Sequence, residues 1–137
     1  MASSKIVLVS GCWDVLHIGH LHHLQAARRF GDWLVVSVTK DAFVNKGPRR
    51  PVFADRQRRE LIGALNCVDR TILVSDQIEA FEMVRPQVFV KGWDYKHRME
   101  QEHVDYCKAH GIEIAFTNEP QYSSTDLLHY YDKPRPS

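Results

Sequence analysis

Two histidines stand three residues apart in the stretch GCWDVLHIGHLHHL, which runs from residue 11 to residue 24. His17 and His20 bracket an Ile-Gly pair, just after an apolar run and just before an amphipathic one. Imidazoles at the start of a helix can donate hydrogen bonds to an anion, which the free backbone N–H groups and the helix dipole also attract. Gly19 has no side chain, so a bulky anion can approach the main chain there. The pattern therefore predicts a polyphosphate site with two imidazole donors.

The neighbouring residues suggest other chemistries, which the spacing does not favour. His22 and His23 follow directly, but zinc-binding helices use an i, i+4 pair with a third ligand, so no metal site is predicted. On a helix, His22 and His23 are expected to point away from the face of His20. Cys12 has no evident base partner in the sequence, and we expect it to be a small apolar filler rather than a nucleophile.

Apolar runs alternate with amphipathic runs along the whole chain, and their periodicities predict alternating strands and helices. The five predicted strands cover residues 6–10, 32–38, 70–74, 87–92 and 112–117, and the helices between them cover residues 19–30, 54–65, 76–84 and 98–110. A last short helix is predicted over residues 123–131, before a loose tail at 132–137.

Nearly all-apolar strands separated by helices predict an α/β fold with a parallel sheet covered on both faces. We expect a Rossmann-like, doubly wound sheet of five parallel strands in the order 3-2-1-4-5. Ligands of such sheets bind beyond the carboxyl ends of the strands, at the switch point between strands 1 and 4. Those two ends carry GCWDVLHIGH and KGWDY, and Gly11 is expected to let the backbone turn sharply after strand 1.

The totals describe an ordinary globular chain. Its 137 residues predict one domain over 1–137, and a net charge of +1 gives no global attraction to nucleic acid or membrane. No apolar stretch is long enough to span a bilayer, and the start lacks the pattern of a signal peptide. Three widely spaced cysteines form no CxxC pair, so no disulfide framework is expected and the cytoplasm is the expected compartment.

The motif HIGH, preceded by GCWDVL, resembles the signature G-x-F-D-x-x-H-x-G-H of the cytidylyltransferase-like nucleotidylyltransferases, with Trp13 at the usual Phe. Three further stretches, NKGPRRPVFADRQRRELIGALNCVD, VFVKGWDY and YSSTDLL, resemble the sugar-phosphate branch of that superfamily in the same order and spacing. The branch includes heptose-1-phosphate adenylyltransferase domains and glycerol-3-phosphate cytidylyltransferase. The likeness covers about residues 5–131.

The resemblance implies nucleotidyl transfer, in which a phosphate oxygen of a small sugar or polyol phosphate attacks the α-phosphorus of CTP or ATP and pyrophosphate leaves. No enzyme nucleophile is needed, so catalysis consists of positioning and charge neutralisation. Mg²⁺ would be held mainly by triphosphate oxygens, without a dedicated set of protein ligands. The residues implied to be catalytic are His17, His20, Lys46 and Arg58, and those implied to bind the nucleotide are Gly11, Cys12, Trp13, Asp14, Gly19, Lys91, Gly92, Asp94, Tyr122, Ser123, Ser124 and Thr125.

Several features of these motifs carry a second interpretation. Ser124 and Thr125 could act as a plain helix cap as well as phosphate ligands. Trp93 could stack on a base or simply pack. The basic stretch 46–59 could form a nucleic-acid patch, but it lacks an aromatic stacking platform. Its remaining arginines are expected to be solvated or salt-bridged: Arg49, Arg50, Arg56 and Arg59.

The choice of substrates stays open at this point. Glycerol-phosphate cytidylyltransferases carry Arg-Thr-Glu-Gly before their serine- and threonine-rich motif, whereas this chain has TNEPQY at residues 117–122. Both CTP and ATP are therefore retained, together with a sugar or polyol phosphate as acceptor. The alternative function is a non-catalytic, nucleotide-binding regulatory module. Relatives commonly dimerise, and a homodimer is expected.

Overall fold

The structure, a computed structural model, describes residues 4–118. The elements are β1 (Ile6–Gly11), α1 (Ile18–Arg28), β2 (Trp33–Thr39), α2 (Asp55–Gly63), β3 (Arg70–Val74), α3 (Gln77–Val84), β4 (Val88–Gly92), α4 (Gln101–Ala109) and β5 (Glu113–Thr117), with short 3-10 helices at Asp41–Phe43 and Trp93–Tyr95. The helix and tail predicted beyond residue 122 lie outside the described residues.

All five strands pair in parallel in the order β3-β2-β1-β4-β5, which confirms the predicted topology. β1 pairs with β2 along its whole length, from Ile6↔Trp33 to Gly11↔Val38. Its pairing with β4 is confined, in the described part of the chain, to Val7↔Val88 and Leu8↔Phe89. The carboxyl ends of β1 and β4 are therefore not joined by a ladder, which leaves room for a ligand at the switch point.

Helices cover both faces of the sheet because alternate strand residues point to opposite sides. Val7 and Val9 belong to the core that also contains Leu24 of α1 and Ile62 of α2. Leu8 belongs to the second core, which includes residues of α3 and α4: Ala80, Phe81 and Cys107. Burial of each large apolar side chain contributes roughly 1.5–3 kcal/mol, so these two layers hold the strand ends that carry the site.

Helix boundaries differ from the predicted ones by a few residues. α1 begins at Ile18, because His17 serves as its N-cap, and it ends at Arg28. α4 begins at Gln101, three residues later than predicted, because backbone hydrogen bonds from Lys96 to Trp93 and from Arg98 to Tyr95 form separate turns before it. Asp55 lies in the first turn of α2, where Ala54 is the N-cap, and its carboxylate accepts from the N–H of Asp41 at 3.1 Å.

Candidate active site

The two motif histidines close the N-terminus of α1 by a reciprocal pair of hydrogen bonds. The Nδ1 atom of His17 accepts from the N–H of Gly19 at 3.0 Å, and the Nδ1 atom of His20 accepts from the N–H of His17 at 3.2 Å. This is the geometry of a capping box, with imidazoles in the places that Ser or Thr and Glu usually fill. The rings stack with centroids 3.8 Å apart at an angle of 17°. The helix start therefore holds both rings in one orientation.

These bonds decide the tautomer of each neutral ring. A backbone N–H can only donate, so Nδ1 of each ring must be the unprotonated atom, and the proton of each neutral ring is on Nε2. Burial, followed by the nearby His17, His23 and Lys46, lowers the pKa of His20 to about 3. His20 is therefore a neutral Nε2–H donor at physiological pH. A neutral donor suits an oxyanion whose charge grows during a reaction, because it needs no proton transfer of its own.

Trp13 supports this pair from the side of the sheet. Its indole Nε1–H donates to the carbonyl oxygen of Ser37 at 3.0 Å, and its ring meets that of His20 edge-on, with centroids 5.2 Å apart. The expectation that Gly11 makes the sharp turn is wrong, since the left-handed backbone belongs to Trp13, with φ of 58°. Gly11 is needed for space, because a Cβ there would lie 2.9 Å from the indole of Trp13.

Asp14 is enclosed by the loop that precedes α2. One carboxylate oxygen accepts from Nε of Arg50 at 2.9 Å and from the N–H of Val52 at 2.8 Å, and the other accepts from the N–H of Phe53 at 3.1 Å. Asp14 is buried, with 2% of its surface exposed. The carboxylate thus serves to join the motif to residues 50–53.

Arg58 also makes its contacts within the protein. Its guanidinium donates to the carbonyl oxygens of Cys12 at 2.7 Å and Phe53 at 2.9 Å, and it pairs with the carboxylate of Asp41 at 2.7 Å. Only 1% of Arg58 is exposed. This geometry differs from the direct phosphate contact implied for Arg58, and it makes the residue a brace beneath the motif.

Lys46, unlike Arg58, is exposed to solvent. It lies in the loop between the 3-10 helix Asp41–Phe43 and α2. Burial is the main cause of the lowered pKa of His20, and the charge of Lys46 adds to it; the same charge partly opposes the rise in the pKa of Cys12. In Cys12, burial outweighs these cations and raises the pKa of the thiol, which does not favour a nucleophile.

The carboxyl end of β4 brings a second set of predicted residues to the switch point between β1 and β4. Gly92 is buried at the strand end, and burial lowers the pKa of the preceding Lys91, whose Nζ lies 4.0 Å from the ring centre of Tyr95. The carboxylate of Asp94 pairs with Arg98 at 3.0 Å and remains 39% exposed. Trp93 is 50% exposed, its ring lies 6.4 Å from that of Phe116, and Nζ of Lys96 lies 4.2 Å from the centre of the indole.

His23 is the residue whose position the sequence analysis misjudged. Its Nδ1 lies 2.7 Å from the hydroxyl of Thr117 at the end of β5, and burial, together with the charge of Lys91, lowers its pKa to about 4. His20 and His23 both lie on α1, three positions apart, so His23 does not point away from His20 as the sequence analysis expected. The signal was present in the spacing, because residues three apart on a helix lie on neighbouring faces.

Gly19 is buried in the first turn of α1, next to the histidine pair. Tyr122, Ser123, Ser124 and Thr125 lie outside the described residues. Within residues 4–118, no group of three or more His, Cys, Asp or Glu side chains is placed to hold a metal ion. Within the same range, no helix has the length and apolar character needed to cross a membrane.

Comparison with known sequences places this site in a family. The sequence profile described as cytidylyltransferase-like matches residues 8–129, which covers most of the chain. The bifunctional protein HldE of Syntrophotalea carbinolica is 39% identical over 94 residues, which is 66% of this chain and 19% of that protein. The HldE of Trichlorobacter lovleyi is 42% identical over 95 residues. The chain thus spans about a fifth of the length of these curated relatives.

Solved structures agree with the topology. A lipopolysaccharide core biosynthesis protein from Thermoplasma volcanium superposes with a TM-score of 0.74 at 28% identity, covering 87% of this chain and 100% of that one. A pantothenate synthetase from Thermus thermophilus shares the fold, with a TM-score of 0.65 at 18% identity, covering 90% of this chain and 61% of that one. With its family profile matched from the first strand to beyond the last, the chain belongs to the cytidylyltransferase-like family.

Proposed function

We propose that this chain is a nucleotidyltransferase that moves a nucleoside monophosphate from a Mg²⁺-bound triphosphate to a small phosphorylated acceptor, with release of pyrophosphate. The observation that carries the proposal is the histidine pair at the start of α1. Its two rings are stacked and fixed through Nδ1, which leaves Nε2 as the protonated atom of each neutral ring. Family membership supplies the reaction class.

In this reaction a phosphate oxygen of the acceptor attacks the α-phosphorus, and the bond to the β-phosphate bridging oxygen breaks. His17 and His20 donate hydrogen bonds to α-phosphate oxygens, on which negative charge is concentrated in the transition state. They transfer no proton and form no covalent bond. Their positions are set by helix capping before any ligand arrives, so the donors need little rearrangement during the reaction.

Lys46 provides a positive charge for the phosphates, because its side chain is exposed and its ammonium group contributes to the lowered pKa of His20. Arg58 acts in this proposal by holding the carbonyl of Cys12 and the carboxylate of Asp41, rather than by contacting phosphate. Asp14 likewise acts by joining the motif to the loop. Gly11, Cys12 and Trp13 contribute backbone and shape to the wall of the nucleotide site.

The nucleoside is assigned to the carboxyl end of β4, where Lys91, Gly92 and Asp94 surround the crevice. The half-exposed indole of Trp93 offers a stacking surface for a base. The hydroxyl-rich stretch 122–125 is assigned to the β- and γ-phosphates on the strength of the sequence resemblance. Mg²⁺ enters as part of the triphosphate substrate, since the carboxylate of Asp14 is already used by Arg50, Val52 and Phe53.

ATP and a heptose or related sugar 1-phosphate are the proposed substrates, and CTP with a polyol phosphate is the alternative pair. The resemblance of the loop NKGPRRPVF to heptose-1-phosphate adenylyltransferase domains favours the first pair, as do the HldE relatives and the lipopolysaccharide core protein. We further propose a single domain that works as a homodimer in the cytoplasm, where nucleoside triphosphates are plentiful.

Thermal unfolding with Mg²⁺ and ATP, CTP, GTP or UTP in separate samples tests the proposal. A ligand at about a hundred times its dissociation constant adds roughly 2.7 kcal/mol to the free energy of unfolding. We expect a selective rise in the midpoint with ATP or CTP, lost in His17→Ala and His20→Ala and kept in His22→Ala.

Pyrophosphate release is then measured with heptose 1-phosphate and with glycerol 3-phosphate as acceptors. Release with either acceptor supports the transferase. A selective thermal shift with no release from either would support a non-catalytic regulatory module instead. No shift with any of the four triphosphates would contradict the proposal.

A further inference from the structure

The loop that carries Lys46 is held by polar contacts rather than by burial of large apolar side chains. Residues 44–54 contain no helix or strand. The apolar side chains that flank Lys46 remain outside the core, since Phe43 is 56% exposed, Val52 45% and Phe53 40%. Hydrophobic packing therefore contributes little to the position of this segment, and its conformation depends on specific hydrogen bonds.

Four of those hydrogen bonds converge on Asp14, in the middle of the motif. Arg50 donates through Nε to the carboxylate and through Nη2 to the main-chain carbonyl of the same residue. The N–H groups of Val52 and Phe53 donate to the two carboxylate oxygens. The loop is thereby attached to the segment that leads directly into His17 and the start of α1.

The Arg50–Asp14 pair is withdrawn from water, with side-chain exposures of 6% and 0%. A buried ion pair is a poor device for raising stability, because both charges lose their hydration, but it can specify one arrangement of two segments. Only arginine can make these two contacts at once, since the planar guanidinium presents its donors in a fixed fork. A lysine at this position would keep the charge and lose the fork.

We infer that Arg50 is a positioning residue of the nucleotidyl transfer. By donating to both the carboxylate and the main-chain carbonyl of Asp14, it fixes the 44–54 loop. The fixed loop places Lys46 beside the phosphates held by His17 and His20. This inference rests on the proposed function. It assigns to Arg50 an action through Lys46 and no contact with the substrate. The influence of the Lys46 charge on His20 agrees with the placement.

A double-mutant cycle on the full chain tests the inference. Dissociation constants of Mg·ATP and Mg·CTP are measured by calorimetry for the native chain, Lys46→Met, Arg50→Met and the double variant. We expect Lys46→Met to weaken binding about 10- to 100-fold, as for loss of one hydrogen bond between charged groups, and Arg50→Met to weaken it by up to the same factor. The double variant should bind as weakly as Lys46→Met alone, because both changes remove one interaction.

Two further variants keep this test decisive. Arg50→Lys retains the charge and should weaken binding nearly as much as is expected for Arg50→Met. It provides the test if Arg50→Met does not fold. Arg59→Met, an exposed position on α2, removes the same charge and should leave binding unchanged. Losses that multiply in the double variant, or unaltered binding by Arg50→Lys, would overturn the inference.

Limited trypsin cleavage after Lys46 separates failure of this inference from failure of the proposed function, because it requires no nucleotide. Cleavage should be several times faster in Arg50→Lys than in the native chain and in Arg59→Met, because the loop is released. Equal rates in all three would overturn the inference even if triphosphates bind. A native chain that binds neither Mg·ATP nor Mg·CTP would overturn the proposed function, and with it the role of Arg50 in the reaction.

Discussion

The carboxyl ends of β1 and β4 form the two sides of the same crevice, but they are built differently. At the end of β1 the polar groups are buried, with exposures of 2% for Asp14 and 1% for Arg58. At the end of β4 the side chains face solvent, with exposures of 50% for Trp93 and 40% for Tyr95. The polar contacts of the β1 side are buried, whereas the ion pair of the β4 side, Asp94–Arg98, lies at the surface.

This difference corresponds to two tasks of the proposed transferase. Groups that stabilise a transition state must be fixed before the substrate arrives, and the β1 side holds even the left-handed backbone of Trp13 in place. Groups that choose among bases or acceptors benefit from surfaces that can adapt. We therefore expect changes at the β1 side to affect turnover and stability strongly, and changes at the β4 side to affect substrate choice with little loss of stability.

The largest effect is expected from the histidine pair. His17→Ala or His20→Ala should reduce turnover about 10²- to 10⁴-fold, as for loss of a transition-state hydrogen-bond donor. The fold should survive, because loss of a cap costs only about 1 kcal/mol. Steady-state pyrophosphate release measures turnover, and His22→Ala on the same helix is the matched control. Turnover that persists in both variants, or falls equally in the control, would remove the pair from the mechanism.

The second effect compares one aspartate from each side. Asp14→Ala removes the carboxylate from a buried network and should lower the free energy of unfolding by about 3–5 kcal/mol. Asp94→Ala removes the partner of Arg98 from an exposed pair, which should lower it by at most about 1 kcal/mol. Urea denaturation of both variants at the same pH measures the difference. Equal losses would show that the two sides are not built differently.

A smaller effect is expected from the packing of Trp13. Gly11→Ala places a Cβ 2.9 Å from the indole and should destabilise the fold by about 1–3 kcal/mol through overpacking. Gly63→Ala is the control, because its Cβ would lie 3.7 Å from Thr71 in ordinary contact. Chemical denaturation of both variants decides the matter. A Gly11→Ala protein as stable as Gly63→Ala would mean that the motif is not tightly packed.

The smallest effect concerns pH. Burial lowers the pKa of His20 to about 3 and that of His23 to about 4, from an ordinary value of 6.5. The unfolded chain takes up protons at these residues near pH 6.5 while the folded chain does not, so stability falls as the pH falls from 7 towards 4. Between pH 7 and 6 the loss should be about 0.7 kcal/mol for each histidine. Urea midpoints should show a weaker pH dependence in the double variant His20→Gln/His23→Gln, and an unchanged dependence would contradict the cause assigned here.

The sheet was predictable because its signals are local. Apolar runs mark each strand, and their alternation with helices leaves few ways to connect a parallel sheet. The order β3-β2-β1-β4-β5 and the place of the motif at the switch point both follow from this pattern. Helix ends were predicted less well, because α1 and α4 begin where a histidine cap and a separate turn place them.

The contacts that build the β1 side were not predictable from local pattern. Arg50 reaches Asp14 across 36 positions, and Arg58 reaches Cys12 across 46. The basic residues of the stretch 46–59 look alike in the sequence, and only the fold shows that the side chains of Arg50 and Arg58 are withdrawn from solvent while Lys46 stays exposed. The contact of His23 with Thr117 spans 94 positions. The position of His23 on the helix was foreseeable from helical spacing, and its contact with Thr117 was not.

The most direct test of the account is ³¹P NMR of the native chain with Mg²⁺, ATP and heptose 1-phosphate. We expect the acceptor monophosphate and all three ATP resonances to decline together, while pyrophosphate and a nucleoside diphosphate sugar appear in equal amounts. That result would show attack at the α-phosphorus, the reaction for which the fixed histidine pair is suited. Formation of ADP with inorganic phosphate or a phosphorylated sugar would show attack at the γ-phosphorus and contradict the account, as would unchanged spectra with both this pair and CTP with glycerol 3-phosphate.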